Sequence, residues 1–251
     1  MRTEKGLEST IVGSHVAGLN HVGIIMDGNR RFAKRLMLEP WRGHEWGSKK
    51  FEEVLDWCIE IGIKHVTLYA LSIENLSGRP REELEFLFKL MKDVAKGVID
   101  DKNHKVHTNK VRVNVIGKME LLPPDLRNAV REAMELTKGY SNFFLNFCVA
   151  YGGRQEIVEA VKKIIDKAER KEIDADDINE EVIKDNLYTS GMPDPDLIIR
   201  TGGEKRLSNF LLLQSAYAEL YFTDKTWPEF RKEDFLDAIS EFQDRQRRFG
   251  K

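Results

Sequence analysis

His21-Val-Gly-Ile-Ile-Met-Asp-Gly-Asn-Arg-Arg-Phe-Ala-Lys34 passes from an apolar run through a glycine turn into a basic segment. An apolar run without alternation is the pattern of a strand covered on both faces, as parallel sheets are. The same grammar recurs outward from this stretch. Apolar, β-branched runs cover residues 21–26, 65–71, 111–116, 143–149 and 197–199, with a weaker one at 220–222. Between them lie segments of helical period over 43–61, 80–99, 124–138, 154–170 and 232–248. In the fourth of these, Ile157, Val161, Ile164, Ile165 and Ala168 share one stripe. Strand and helix in alternation predict a single α/β domain with a mostly parallel sheet flanked by helices. Met1–Gly18 has mixed charge and no apolar centre, so it reads as an N-terminal arm or short helix before a domain over 19–251.

Composition narrows the function. The chain has 251 residues, 41% of them hydrophobic and 33% charged, enough for a core without a disulfide or metal staple. Cys58 and Cys148 each sit in an apolar run and read as core thiols, although spacing alone leaves one bridge open. A net charge of −2 argues against a general nucleic-acid binder. No stretch approaches the roughly 20 apolar residues of a spanning helix. The expected location is the cytoplasm, with at most peripheral contact with the membrane.

In folds of this class ligands collect outside the carboxyl ends of the strands. Four loops bring polar residues there. The first carries Asp27, Gly28, Asn29, Arg30, Arg31 and Phe32, and the second Ser72, Ile73, Glu74 and Asn75, then Arg79. The third is Tyr151-Gly-Gly-Arg154, and the fourth runs from Arg200 through Gly202 and Gly203 to Arg206, Leu207, Ser208 and Asn209. Glycine lets backbone approach an anion, and arginine's fork can grip two phosphate oxygens. Asp27 at a strand end suits Mg²⁺ shared with substrate phosphates, which that ion prefers to an all-protein cage. A capped turn with a solvated basic helix face explains the first loop alone equally well. Arg200 ends a buried strand, where a structural arginine is unwelcome, and Glu219 in the last strand could supply a second metal contact. His44 follows Arg42-Gly43 and could donate to phosphate, whereas His21 and His65 open strands and read as structural.

Other chemistries lack their motifs. There is no P-loop, no G-x-G-x-x-G after a strand, no Cys-x-x-Cys pair and no G-x-S-x-G elbow. Asp100-Asp101 and Asp176-Asp177 lack the third aspartate of trans-prenyl synthases. A phosphatase with Asp27 as nucleophile would want an acid two residues away, where Ile25 and Asn29 stand.

The sequence resembles the cis-prenyltransferase family of undecaprenyl and dehydrodolichyl diphosphate synthases, from about His21 to Gly250. The resemblance rests on the opening stretch, Gly43-His44, Leu68-Tyr-Ala-Leu-Ser-Ile-Glu-Asn75, Ala150-Tyr-Gly-Gly-Arg154 and Pro195-Asp-Leu-Ile-Ile-Arg-Thr-Gly-Gly-Glu204. It continues through Arg206-Leu-Ser-Asn-Phe-Leu-Leu-Leu213, Ala216-Tyr-Ala-Glu-Leu-Tyr-Phe222, Trp227-Pro228 and Arg247-Arg-Phe-Gly250.

The resemblance implies a parallel six-stranded sheet with a hydrophobic tunnel. It also implies condensation of isopentenyl diphosphate onto an allylic prenyl diphosphate, farnesyl or geranylgeranyl, giving a lipid carrier precursor for glycan synthesis. Asp27 would be the Mg²⁺-linked carboxylate, with Gly28, Asn29, Arg30, Arg31 and His44 around the allylic diphosphate. Ser72, Glu74 and Asn75 would lie near the reacting centre, Asn75 handling a proton. Arg200, Arg206 and Ser208, with Arg79 nearby, would hold isopentenyl diphosphate, and Glu219 would help hold the metal. Phe32, Ile73, Leu76 and Leu207 stand in the same substrate-binding blocks. Arg248-Phe-Gly250 would reach the partner's site in a homodimer.

Tunnel lining is implied for Leu84, Phe86, Leu87, Phe88, Leu90, Met91 and Val94, with Phe143, Phe144 and Phe147 opposite, although a buried core helix explains the first set equally. Phe32 and Leu76 stand where tryptophan is frequent in the family, and Pro40 where arginine is common; either Arg42 supplies that contact or it is lost. The segment 75–80 is one residue longer than in common bacterial members. A non-catalytic partner subunit would lack the Asp-Gly-Asn loop and distal arginines that this chain has.

Overall fold

A computed structural model describes residue 16 and residues 18–245. The strands are β1 (His21–Ile25), β2 (His65–Ser72), β3 (Val111–Ile116), β4 (Phe143–Tyr151), β5 (Leu197–Arg200) and β6 (Glu219–Phe222). They form one sheet in the order β3-β4-β2-β1-β5-β6, every pairing parallel. Each predicted run became a strand. The helices are α1 (Asn29–Arg35), α2 (Gly43–Ile61), α3 (Ile73–Gly78), α4 (Arg81–Asp100), α5 (Lys105–Thr108), α6 (Pro124–Thr137), α7 (Gly153–Glu169), α8 (Glu180–Asn186) and α9 (Lys232–Asp244). The polar run after β2 is helical rather than a loop, because the Ser72 hydroxyl caps it by accepting from Asn75 N–H at 3.2 Å.

The chain leaves β1 for β2 on one side and returns through β5 on the other. Between the carboxyl ends of β1 and β5 the sheet therefore has a topological switch point, the usual ligand crevice of open α/β sheets. All five residues of β1 are buried, as a central strand covered on both faces requires. One core joins the sheet to α2, α4, α6 and α9. A second lies around Tyr69, Cys148, Tyr151, Ile198 and Phe210. Cys58 and Cys148 are free and buried, one in each core, and burial raises both thiol pKa values.

His21 and His65 are structural. His21 Nδ1 lies 2.7 Å from the Pro193 carbonyl and so carries the proton, leaving Nε2 to accept from the Thr67 hydroxyl at 2.7 Å. His65 stacks on Phe144 with centroids 4.3 Å apart.

Candidate active site

β1 ends at Ile25, and Asp27 projects at the switch point beside Arg200, the last residue of β5. Arg200 Nη2 donates to Asp27 Oδ2 at 2.8 Å. Asp27 Oδ1 accepts from Gly28 N–H at 2.6 Å and faces Arg31 Nη2 at 3.4 Å. Gly28 must be glycine: its φ is +102°, and a Cβ would lie 2.7 Å from Thr226. The second face of the Arg200 fork donates to Ser208 Oγ at 2.7 Å and to the Arg206 carbonyl. Arg200 is only 4% exposed, and its Nε has no partner among the described residues. An arginine buried and incompletely matched at a strand end has donor capacity left for a further anion.

A second cluster flanks the first. Glu83, at the start of α4, is buried and accepts from Arg79 Nη1 at 2.7 Å, with Arg30 Nε at 3.9 Å. Burial works to raise the Glu83 pKa, but His44 beside it and the charges of Arg79 and Arg30 outweigh it and leave it lowered. Arg79 Nη1 also lies 3.0 Å from His44 Nε2, and a guanidinium only donates, so that nitrogen accepts in a neutral ring. Burial lowers the His44 pKa accordingly.

Asn209 ties three loops together. Its Nδ2 donates to Glu74 Oε1 at 2.7 Å and to Gln155 Oε1 at 3.1 Å, while its Oδ1 accepts from Arg154 N–H at 2.8 Å.

The loops that carry these residues open on a cavity of about 680 Å³. Asp27, Gly28, Asn29, Arg30, Arg31, His44, Ser72, Asn75, Arg79, Arg200, Arg206 and Ser208 all line it. Its walls beyond the mouth are apolar. From α4 come Leu87, Leu90, Met91, Val94, Ala95 and Val98, from α6 Leu126, Val130 and Ala133, and from the sheet Val113, Val115, Leu145, Phe147 and Val149. The helix spacings are single stripes and the strand positions alternate, so each element gives one face to the space. The lining carries six Lys or Arg side chains and one aspartate. A cationic mouth on an apolar chamber fits an amphiphile with an anionic head.

Other expectations need correction. Glu219 opens β6 and pairs in register with Leu197, at the start of β5, so it lies at the sheet edge opposite Asp27. There Arg245 Nη1 donates to it at 2.8 Å; one chain does not bring Glu219 and Asp27 to the same ion. Arg42 is exposed, faces Glu45 at 3.8 Å and is not among the residues that line the cavity. Phe32 meets Trp46 edge-on instead of lining the cavity. Ile73, Glu74, Leu76 and Leu207 are not on the lining; Leu76 packs against the first core and Leu207 against the second, and Glu74 is exposed. Of the implied tunnel residues, Leu87, Leu90, Met91, Val94 and Phe147 line the cavity, whereas Leu84, Phe86, Phe88, Phe143 and Phe144 do not. The α6 wall was missed, although Leu126, Val130 and Ala133 form a helical stripe in the sequence. Arg248-Phe-Gly250 and residues 1–15 lie outside the described residues.

No group of three or more His, Cys, Asp or Glu suited to a metal occurs among the described residues. Asp27 alone fits the Mg²⁺ expectation: its carboxylate is 31% exposed at the mouth, and its three hydrogen-bonding neighbours leave lone-pair capacity for an ion shared with phosphate.

The family model described as putative undecaprenyl diphosphate synthase matches residues 25–250. A tritrans,polycis-undecaprenyl-diphosphate synthase (geranylgeranyl-diphosphate specific) of Methanopyrus kandleri is 54% identical over 231 residues, covering 92% of this chain and 84% of that protein. The protein of the same description from Methanocaldococcus jannaschii is 49% identical over 250 residues, covering 99% and 88%. Among solved structures, lavandulyl diphosphate synthase from Lavandula x intermedia, in complex with dimethylallyl diphosphate, superposes with a TM-score of 0.87 at 36% identity, over 92% of this chain and 98% of that one. A probable undecaprenyl diphosphate synthase from Campylobacter jejuni gives 0.75 at 34% identity, over 93% and 99%. With its strand-end site, a family model along most of its length and relatives about half identical to it, the chain belongs to the cis-prenyltransferase family.

Proposed function

We propose that this chain condenses isopentenyl diphosphate units onto geranylgeranyl diphosphate and releases a long-chain polyprenyl diphosphate that serves as a lipid carrier precursor for glycan synthesis. The observation that carries the reading is the cavity, whose cationic mouth and apolar walls match the two ends of a prenyl diphosphate. Of farnesyl and geranylgeranyl primers, the second is favoured because the archaeal relatives are described as geranylgeranyl-diphosphate specific.

In each cycle the C–O bond of the allylic diphosphate breaks and diphosphate leaves with the electron pair. The double bond of isopentenyl diphosphate then attacks the cation-like carbon, and loss of a proton forms the new cis double bond. Arg31 and the backbone of Gly28 and Asn29 face the departing diphosphate, where fixed donors stabilise developing charge. Arg200, Arg206 and Ser208 hold the second diphosphate, so acceptor and donor meet in one cleft without reorganisation. Asn75, in the first turn of α3 and on the lining, is the proton-handling residue. Mg²⁺, when bound, would be held by Asp27 and phosphate oxygens and would neutralise the leaving group. The tail would lie between α4, α6 and the sheet, a dry site that lengthening can fill.

The functional unit is a homodimer in this reading, supported by the edge strand β6, whose outer side pairs with no other strand among the described residues. Incubation of the purified protein with labelled isopentenyl diphosphate, Mg²⁺ and each primer separately, followed by mass spectrometry, tests the proposal. A geranylgeranyl-primed polyprenyl series supports it, and absence of any condensation product overturns it.

A further inference from the structure

Met37 is the most exposed large apolar side chain among the described residues, at 94%, and its backbone is left-handed, with φ +57°. It closes α1: Met37 N–H donates to the Lys34 carbonyl and Leu38 N–H to the Ala33 carbonyl, each at 3.0 Å. This pair of bonds is the helix ending that ordinarily carries glycine at the Met37 position. Neither packing nor backbone preference explains a methionine there. A use outside the fold does.

Its surroundings say what use. Leu36, 48% exposed, follows Phe32 by one helical turn, and Phe32 meets Trp46, itself 39% exposed, at 5.7 Å. Arg42, at the cap of α2, and Lys49 within it stand four residues before and three after Trp46, on its side. Residues 30–50 contain seven Lys or Arg and two Glu in a chain of net charge −2. Arg35 is paired with Glu229 and Arg42 with Glu45, while Lys34 and Lys49 add charge beside the tips that is uncompensated among the described residues.

We propose that Leu36, Met37 and Trp46, ringed by Lys34, Arg35, Arg42 and Lys49, form a knuckle that inserts into the surface of an anionic lipid bilayer. The local charge is complementary to such a surface. Three apolar tips bury far less than the roughly 1,600 Å² of a standard protein interface. Shallow insertion beside attracted basic residues needs no more, and tryptophan favours that depth. Arg30, Arg31 and Lys34 on the same helix line the cavity mouth, and α1 is only about 10 Å long, so docking would set the mouth at the bilayer surface. That last benefit rests on the proposed function; the docking itself does not.

The test is flotation of the full chain with vesicles of phosphatidylcholine alone and of phosphatidylcholine mixed with phosphatidylglycerol, read without substrate. A failed prenyl-transfer assay would therefore leave it standing. The wild type should float with the mixed vesicles and far less with the neutral ones. The double variant Leu36→Asp, Met37→Asp should lose binding about tenfold or more. Met37→Gly, which suits the left-handed backbone, should bind less with an undiminished thermal midpoint. Absence of wild-type binding to the mixed vesicles, or equal binding by both variants, overturns the proposal. Dissociation of an oligomer by the double variant would also overturn it, because a second copy would then cover the knuckle.

Discussion

Asp27→Ala separates what the carboxylate does for the fold from what it does for chemistry. The change removes the acceptor of Gly28 N–H at 2.6 Å and of Arg200 Nη2 at 2.8 Å, and the Arg31 partner at 3.4 Å. Arg200, only 4% exposed, keeps Ser208 and the Arg206 carbonyl, but its Nε already lacks a partner among the described residues. Breaking a fully buried ion pair costs about 3–5 kcal/mol. Asp27 is 31% exposed and water can enter the gap, so about 2 kcal/mol is expected. For a domain of this size that lowers the thermal midpoint by about 4–8 °C. Turnover should fall by about 10²–10³-fold, the scale of losing a preorganised electrostatic group. Calorimetry measures the first quantity, and incorporation of labelled isopentenyl diphosphate at saturating Mg²⁺ the second. Asp27→Asn, which can still accept from Arg200, should recover most of the midpoint and little of the turnover. Turnover of Asp27→Ala within tenfold of wild type would refute the reasoning.

Arg200→Lys removes the fork that reaches Asp27 and Ser208 together, and should raise KM for isopentenyl diphosphate about tenfold or more while sparing that for the primer; equal changes in both would argue against two separate anion pockets. Val94→Phe fills a lining position of α4 and should shorten the products, as sized by mass spectrometry; an unchanged length distribution would place the growing tail elsewhere. Stability should fall as pH drops below about 6.5. Burial lowers the pKa of His21, His44 and His65, that of His65 to about 4 with help from neighbouring His21. Between the lowered and ordinary values the unfolded chain binds more protons than the folded one, so stability is complete above that window and is lost through it, with a slope up to about 1.4 kcal/mol per pH unit for each histidine. Glu83, also lowered, adds loss in the same direction at lower pH. A midpoint that is flat or rises on going from about pH 7 to about pH 5 would contradict this reading.

Much of the site was legible because its residues follow directly on apolar runs. Asp27 and Arg200 are 173 positions apart, yet Arg200 ends one buried strand and Asp27 follows the end of another by two residues, and a parallel sheet gathers such ends at one edge. Glu219 was misplaced by the same logic applied without register: it begins its strand, and the two ends of a parallel strand face opposite edges. The wall of the cavity was half legible. An apolar stripe shows which face of α4 or α6 turns inward, but not whether the facing sheet touches it or stands off. Leu87 and Val94 line the chamber as well as meeting the core, while Leu84 and Phe88 on the same helix meet the core alone.

The sequence by itself determined the strands, the longer helices and the polar loops at the strand ends, because local periodicity and turn chemistry act over a few residues. Tertiary structure alone decided that Arg200 is buried against Asp27, that Glu219 is on the far edge, and that α4, α6 and the sheet leave a chamber between them. Those outcomes depend on register and on how closely packed surfaces approach, and neither is recorded in the order of residues along one segment.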